Sequence, residues 1–204
     1  MSSTNSKNVD VNSAMLSSFN DYSERLQQLL KTMHWQGVEQ LCQAIWRCWQ
    51  QGCRVYLCGN GGSAGNAVHI ANDLLYGVNA TPGKGINVEA LTANIAVLTC
   101  LANDEGYEEI FSVQLKVKAK PGDILIVLSG SGNSKNVINA LKTASSLGAT
   151  TAAVLGYDGG RCKALADIVV HAEIDDMQIS EDIQLVVGHM MMQWFRSATD
   201  ALLE

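Results

Sequence analysis

His69 and Asp73 stand four residues apart in the stretch GNAVHIANDLL, which reads as a helix from about Gly65 to Leu75. At that spacing an imidazole and a carboxylate share one helix face, about one turn apart. Such a pair can hold a divalent cation or pass a proton, and it can equally be a plain surface hydrogen bond. A second set, Glu181 and His189 with Asp182 beside them, lies in an apolar C-terminal segment. Eight residues of continuous helix separate Glu181 from His189 by ~12 Å along the axis. Both therefore reach one small site only if Glu181 sits at the helix start or comes from another subunit. Taken alone, His189 reads equally well as a packed histidine between Val187 and Met190 to Met192.

Two glycine- and serine-rich loops must be placed near these groups for them to act on anything. GNGGS, residues 59 to 63, follows the apolar run VYLC, and SGSGNS, residues 129 to 134, follows ILIVL. Glycine lets backbone approach a ligand, the N–H groups of a helix start attract an anion, and serine hydroxyls add neutral donors. Each loop alone can be a tight turn with a serine cap, such as Ser134 on the helix through Leu147. Both together point to one phosphomonoester. Gly59, Gly61 and Ala64 also fit the dinucleotide fingerprint, but the acidic residue that pattern needs on the next strand, Glu89, comes late, and a serine loop has no role in it. No nucleotide cofactor is expected, and no GK[ST] of a P-loop follows either glycine cluster. Asn103 and Asp104, in a loop after a helix, are candidates for capping or for sugar hydroxyls.

The elements that carry these loops alternate. Short apolar runs at 55 to 58, 86 to 91, 124 to 129, 151 to 156 and 167 to 173 are separated by helical segments near 65 to 75, 94 to 101, 134 to 147 and Lys163, and a helix over 181 to 203 closes the chain. Strands apolar throughout belong to a parallel sheet covered on both faces, so the expectation is an α/β, doubly wound fold of about five strands. Ahead of it, Met15, Phe19, Tyr22, Leu26, Leu29 and Met33 form a seam on one helix, and Val38, Leu41, Cys42, Ile45, Trp46 and Trp49 form another. This divides the chain into a loosely ordered segment 1 to 14, a helical pair over 15 to 51 and an α/β core over 52 to 204. The two apolar stripes suit the sheet of their own chain and a subunit interface alike.

The 204 residues carry 14 basic and 20 acidic side chains, a net charge of −6. That excludes the basic footprint of a nucleic-acid or anionic-membrane binder. No apolar run reaches the ~18 residues of a membrane span, the N-terminus has no leader-like core, and six scattered cysteines form no CxxC pair, so a cytoplasmic protein with reduced thiols is expected.

With CGNGGS and its downstream His69, ANDEGYEEIF, LSGSGNS, GYDGG and the ending ED-x6-H in this order, the chain from about Tyr22 onward resembles the SIS (sugar isomerase) fold, and within it the phosphoheptose isomerase family. The resemblance implies a single SIS domain that converts sedoheptulose 7-phosphate into D-glycero-D-manno-heptose 7-phosphate. It further implies a homotetramer with sites at subunit interfaces and, in several members, one zinc per subunit. Carried over by position, it assigns Asn60, Gly61, Gly62 and Ser63 to the substrate, and Ser129, Gly130, Ser131 and Ser134 to its phosphate. Asn103 and Asp104 would touch the sugar. His69, Asp73, Glu181 and His189 would surround the metal and the reacting carbons, with Asp73, Glu181 and His189 as the catalytic groups. The chain departs from the family in having Asp73 in place of glutamate and Glu181 in place of glutamine. A relative that keeps the serine loops without the acid/base set would bind phosphosugars as a regulator, and the presence of both histidines favours the enzyme.

Overall fold

A computed structural model describes residues 11–79, 81 and 83–203 of the chain. These divide into two compact units, separated between Met33 and His34. The first is a single helix, α1 (Val11–Thr32). Its N-terminal half leaves Val11, Met15, Leu16 and Phe19 in solvent, whereas Leu29 is buried. The exposed half is the seam anticipated from Met15 onward, and the helix begins at Val11, inside the segment expected to be loose. The remainder of that segment, residues 1 to 10, lies outside the described residues.

The second unit opens with α2 (Gln36–Gln50), so the second of the two anticipated N-terminal helices groups with the α/β body. Its buried face, Val38, Leu41, Ala44, Ile45 and Cys48, repeats every three to four residues as an amphipathic helix requires. Gly37 is one reason it can lie so close to the sheet: a side chain there would overlap the Val169 carbonyl. Five strands follow: β1 (Val55–Cys58), β2 (Val88–Ala90), β3 (Ile124–Ser129), β4 (Thr150–Leu155) and β5 (Ile168–His171). All pair in parallel, in the order β2-β1-β3-β4-β5. β1 and β3, the strands that end in the two glycine-serine loops, are direct neighbours, with Cys58 opposite Val127. Every residue of both strands is buried, as expected for a parallel sheet covered on both faces.

The covering helices are α3 (Gly62–Asn72), α4 (Ile95–Asp104), α5 (Ser112–Lys118), α6 (Lys135–Ser146), the short α7 (Gly160–Lys163) and α8 (Met177–Leu203). α3 runs on into a π-helical turn, Asp73–Gly77. α5 and the 3₁₀ turn Tyr107–Glu109 before it carry Ile110, Phe111 and Leu115 into the core beneath α6. A T-shaped and stacked aromatic group of Trp46, Trp49, Trp194 and Phe195 ties α2 to α8. All six cysteines are free thiols, and burial pushes Cys48 up to about 12 and Cys42 and Cys162 up to about 11. Among the described residues no helix is long and apolar enough to cross a membrane.

Candidate active site

The glycine loop turns sharply because Gly61 takes φ +55° and ψ −123°, a conformation closed to L side chains. Its neighbours Gly59 and Gly62 have no room for a side chain: a methyl on Gly59 would meet the Leu128 carbonyl, and one on Gly62 would overlap the Glu181 carboxylate. Glu181 therefore lies directly over the N-terminus of α3. Ser63 is buried and accepts a hydrogen bond from Gln184 Nε2 at 3.0 Å, which leaves its own O–H to donate. Asn66 donates to the Glu181 carbonyl and to Gln184 Oε1, both at 3.0 Å.

In the serine loop, Ser129 Oγ accepts from the Gly132 N–H at 3.0 Å and Ser131 Oγ from Asn133 N–H at 3.3 Å. Both hydroxyls keep a hydrogen to donate. Gly132, at φ +63°, passes so close to the Gly159 carbonyl that no side chain fits between. Asn133 pins the loop to the start of α7 by accepting from Arg161 N–H at 3.1 Å. Ser134 occupies the N-cap position of α6, yet its hydroxyl makes no cap hydrogen bond. The capping role open to it from sequence is not used, and its hydroxyl, with those of Ser129 and Ser131, is available to an anion at a helix start.

Two turns along α3 from the glycine loop, His69 Nε2 faces His189 Nε2 at 2.9 Å. Asp73 Oδ2 lies 3.4 Å from the first and 3.7 Å from the second. One ligand atom from each of the three residues falls within 4.8 Å of the others, a grouping able to hold a metal ion. It exists because α3 and α8 run side by side in the same direction: Gly62 meets Glu181, Asn66 meets Gln184, and Ile70 meets Gly188. At the last crossing a Cβ on Gly188 would come within 2.6 Å of Ile70. Only glycine lets the helices approach there, and the residues beside that contact are the two histidines. Asp73 is the first residue of the π turn, where the backbone register shifts, and π turns of this kind recur at functional sites. Its short side chain still reaches both rings.

The residues singled out from sequence thus fall into two groups on one helix pair. His69, Asp73 and His189 come together, while Glu181, one turn into α8, sits at the opposite end beside Gly62. Asn103 and Asp104 are not in a loop but are the last two residues of α4. The Asp104 carboxylate accepts from Asn103 Nδ2 at 2.8 Å and from the Cys100 thiol at 3.3 Å. These hydrogen bonds, that of Asn103 first, hold the Asp104 carboxyl below the usual range. Three polar residues were missed: Gln184, Asn136 and Tyr107, each bonded to a side chain of the glycine loop or of the helix it starts. Gln184 and Asn136 lie outside every quoted motif, and Tyr107 lies within ANDEGYEEIF, but the contacts join positions dozens of residues apart and no spacing announces them.

The chain is similar to proteins of a known family. Residues 18–156 match the model of the SIS domain. The chain is 36% identical over 181 residues to the phosphoheptose isomerase of Aliarcobacter butzleri, covering 89% of this chain and 95% of that protein. It is 37% identical over 168 residues to that of Helicobacter pylori strain P12, covering 82% and 83%. The structure of phosphoheptose isomerase GmhA from Neisseria gonorrhoeae superposes with a TM-score of 0.84 at 27% identity, covering 92% of this chain and all of the other. The sugar isomerase domain of an RpiR transcription factor from Sphaerobacter thermophilus, at 20% identity and a TM-score of 0.63, shares the fold alone. With matches of this extent, the chain belongs to the SIS-domain family and, within it, to the phosphoheptose isomerases.

Proposed function

We propose that this isomerase interconverts sedoheptulose 7-phosphate and D-glycero-D-manno-heptose 7-phosphate through a cis-enediol, using the His69, Asp73 and His189 group for the proton transfers. The observation that carries the assignment is that group itself: a carboxylate and two imidazoles within 3.7 Å of one another, on the helix that leaves the glycine loop.

Ser129, Gly130, Ser131 and Ser134 bind the phosphate through hydroxyl and backbone donors, with Ser63 adding a further hydroxyl. Asn60, Gly61 and Gly62 line the chain of the sugar. Glu181, over Gly62, and Asn103 and Asp104, at the end of α4, take its hydroxyls. From Gly62 to His69 the helix rises ~10 Å, a span that suits a seven-carbon sugar bound by its phosphate at one end and reacting at the other. Anchoring the phosphate converts the encounter of C1 and C2 with the acid and base into a positioned step, an effect that can supply several kcal/mol of the barrier. Asp73 removes the proton from one carbon and returns it to the other. His189 carries the proton between the two oxygens, with His69 hydrogen-bonded to it at 2.9 Å.

The same three residues suit a zinc ion. Ligand atoms of a tetrahedral zinc site with bonds of ~2.0–2.1 Å lie ~3.3 Å apart, and the separations of 2.9, 3.4 and 3.7 Å bracket that edge. Zinc bound there would occupy the Nε2 lone pairs, so it would replace His189 in stabilising the oxygens of C1 and C2, as a Lewis acid, and leave Asp73 Oδ1 as the base. Equilibrium dialysis is expected to load about one zinc per chain in the wild type and none in the His69→Ala variant; equal loading of both would place the metal elsewhere.

The apolar residues left in solvent, among them Val11, Met15, Leu16 and Phe19 on α1 and Ile95 on α4, favour a homo-oligomer, a tetramer by family resemblance. The acidic charge balance and the free thiols favour a cytoplasmic protein that binds neither nucleic acid nor membranes.

A further inference from the structure

We propose that Asn136 and Tyr107 set the polarity of Asn60, so that Asn60 meets the sugar only as a hydrogen-bond donor. This rests on the placement of Asn60 among the sugar-binding residues. Asn60 belongs to the glycine loop after β1, whereas Asn136 is the second residue of α6, the helix that leaves the serine loop, and is 1% exposed. Their amides face each other. Asn60 Nδ2 donates to Asn136 Oδ1 at 2.9 Å, and Asn136 Nδ2 donates to Asn60 Oδ1 at 2.7 Å. Tyr107 Oη donates to the same Asn60 oxygen at 2.9 Å.

Which end of each amide is oxygen follows from the Val137 N–H, a group that can only donate. It lies 2.9 Å from Asn136 Oδ1, so that atom is an oxygen. The other end of Asn136 is then NH₂, and the atom of Asn60 that faces it must accept. An amide oxygen has two lone pairs, and both of those on Asn60 are taken, one by Asn136 and one by Tyr107. Of its two N–H bonds one is spent on Asn136. A single N–H remains to Asn60, and no acceptor.

That polarity suits the reaction. A fixed donor holds a sugar oxygen near the phosphate end, and so orients C1 and C2 at the other end, at no cost of reorganisation, whereas an amide free to turn over would present its own oxygen half the time. Asn136 and Tyr107 are in this sense positioning residues that act through Asn60. The reciprocal amide pair also links the sugar loop to the phosphate loop across the neighbouring strands β1 and β3.

The test is a set of cycles on Asn60. Tyr107→Phe removes one donor from an exposed side chain. Asn136→Asp keeps an acceptor for Asn60 Nδ2 and the Val137 N–H but sets an oxygen against Asn60 Oδ1. Expected are falls in kcat/KM of ~10-fold and ~100-fold respectively, because a donor that positions the sugar is released or turned over. In an Asn60→Ala background the same two changes should each cost less than ~2-fold, since no amide is left to orient. Undiminished falls in that background would overturn the proposal. Should the buried Asn136→Asp variant fail to fold, the Tyr107→Phe cycle decides alone. A wild type without activity on sedoheptulose 7-phosphate would count against the functional reading only. The polarity would then be read from the side-chain amide resonances of ¹⁵N-asparagine-labelled protein: Tyr107→Phe should shift the Asn60 pair, and an unmoved pair would overturn it.

Discussion

Replacing His189 by alanine should lower kcat for sedoheptulose 7-phosphate by at least ~10³-fold while leaving the melting temperature within a few degrees of wild type. The ring has little packing to lose, since its side chain is 48% exposed in the chain, and its principal contacts are polar ones to His69 and Asp73. What it supplies is a proton carrier hydrogen-bonded to His69 and 3.7 Å from the Asp73 carboxylate. Removing it also opens the α3–α8 contact only at its outer edge, because the close approach of the helices is made by Gly188 against Ile70. A coupled assay for the aldose product, read beside a thermal melt, checks both halves of the expectation. Unchanged turnover would remove His189 from the mechanism. Lost turnover with a collapsed melting temperature would make it a structural residue.

Asp73→Asn should lower kcat by ~10²–10⁴-fold with a much smaller effect on KM. The substitution preserves shape and volume, so it takes away only the charge and the basicity of the carboxylate that lies 3.4 and 3.7 Å from the two imidazoles. Since the proposed phosphate site lies some two turns away, ground-state binding should survive. The companion variant, Asp73→Glu, introduces the residue that the family resemblance implies at this position and adds one methylene. If Asp73 is the base, that variant should retain activity far above Asp73→Asn, because the carboxylate is kept and the π turn at Asp73–Gly77 gives the longer side chain a new starting point. Steady-state kinetics on the two variants decides the matter. Equal losses in both, or loss in neither, would remove Asp73 from the role of base.

Much of this was legible in the sequence. The five strands fall within a few residues of the apolar runs that announced them, because a strand buried on both faces has no polar alternation to blur it. The two loops sit at the carboxyl ends of β1 and β3, where glycine and serine clusters after apolar runs would put them. α5 and the 3₁₀ turn before it were not anticipated: Phe111, Val113, Leu115 and Val117 recur every second residue, the period of a strand, over too short a segment to announce a helix. The π turn at Asp73 has no sequence signature at all. The ~12 Å separation of Glu181 from His189 was correctly read from helix rise, but its consequence depends on the partner helix. Only the parallel course of α3 and α8 decides that Glu181 stands over Gly62 while His189 meets His69. Ser134 illustrates a different limit, because a serine at an N-cap position reads as a cap whether or not its hydroxyl is turned to the helix.

The central claim is tested most directly by incubating the purified protein with sedoheptulose 7-phosphate in D₂O and following the sugar by NMR. The account predicts that an aldoheptose 7-phosphate appears with deuterium at C2, as transfer through an enediol with a solvent-exchangeable base requires. Absence of the aldose, with sedoheptulose 7-phosphate bound but unchanged, would contradict it and leave a phosphosugar-binding protein in place of an enzyme.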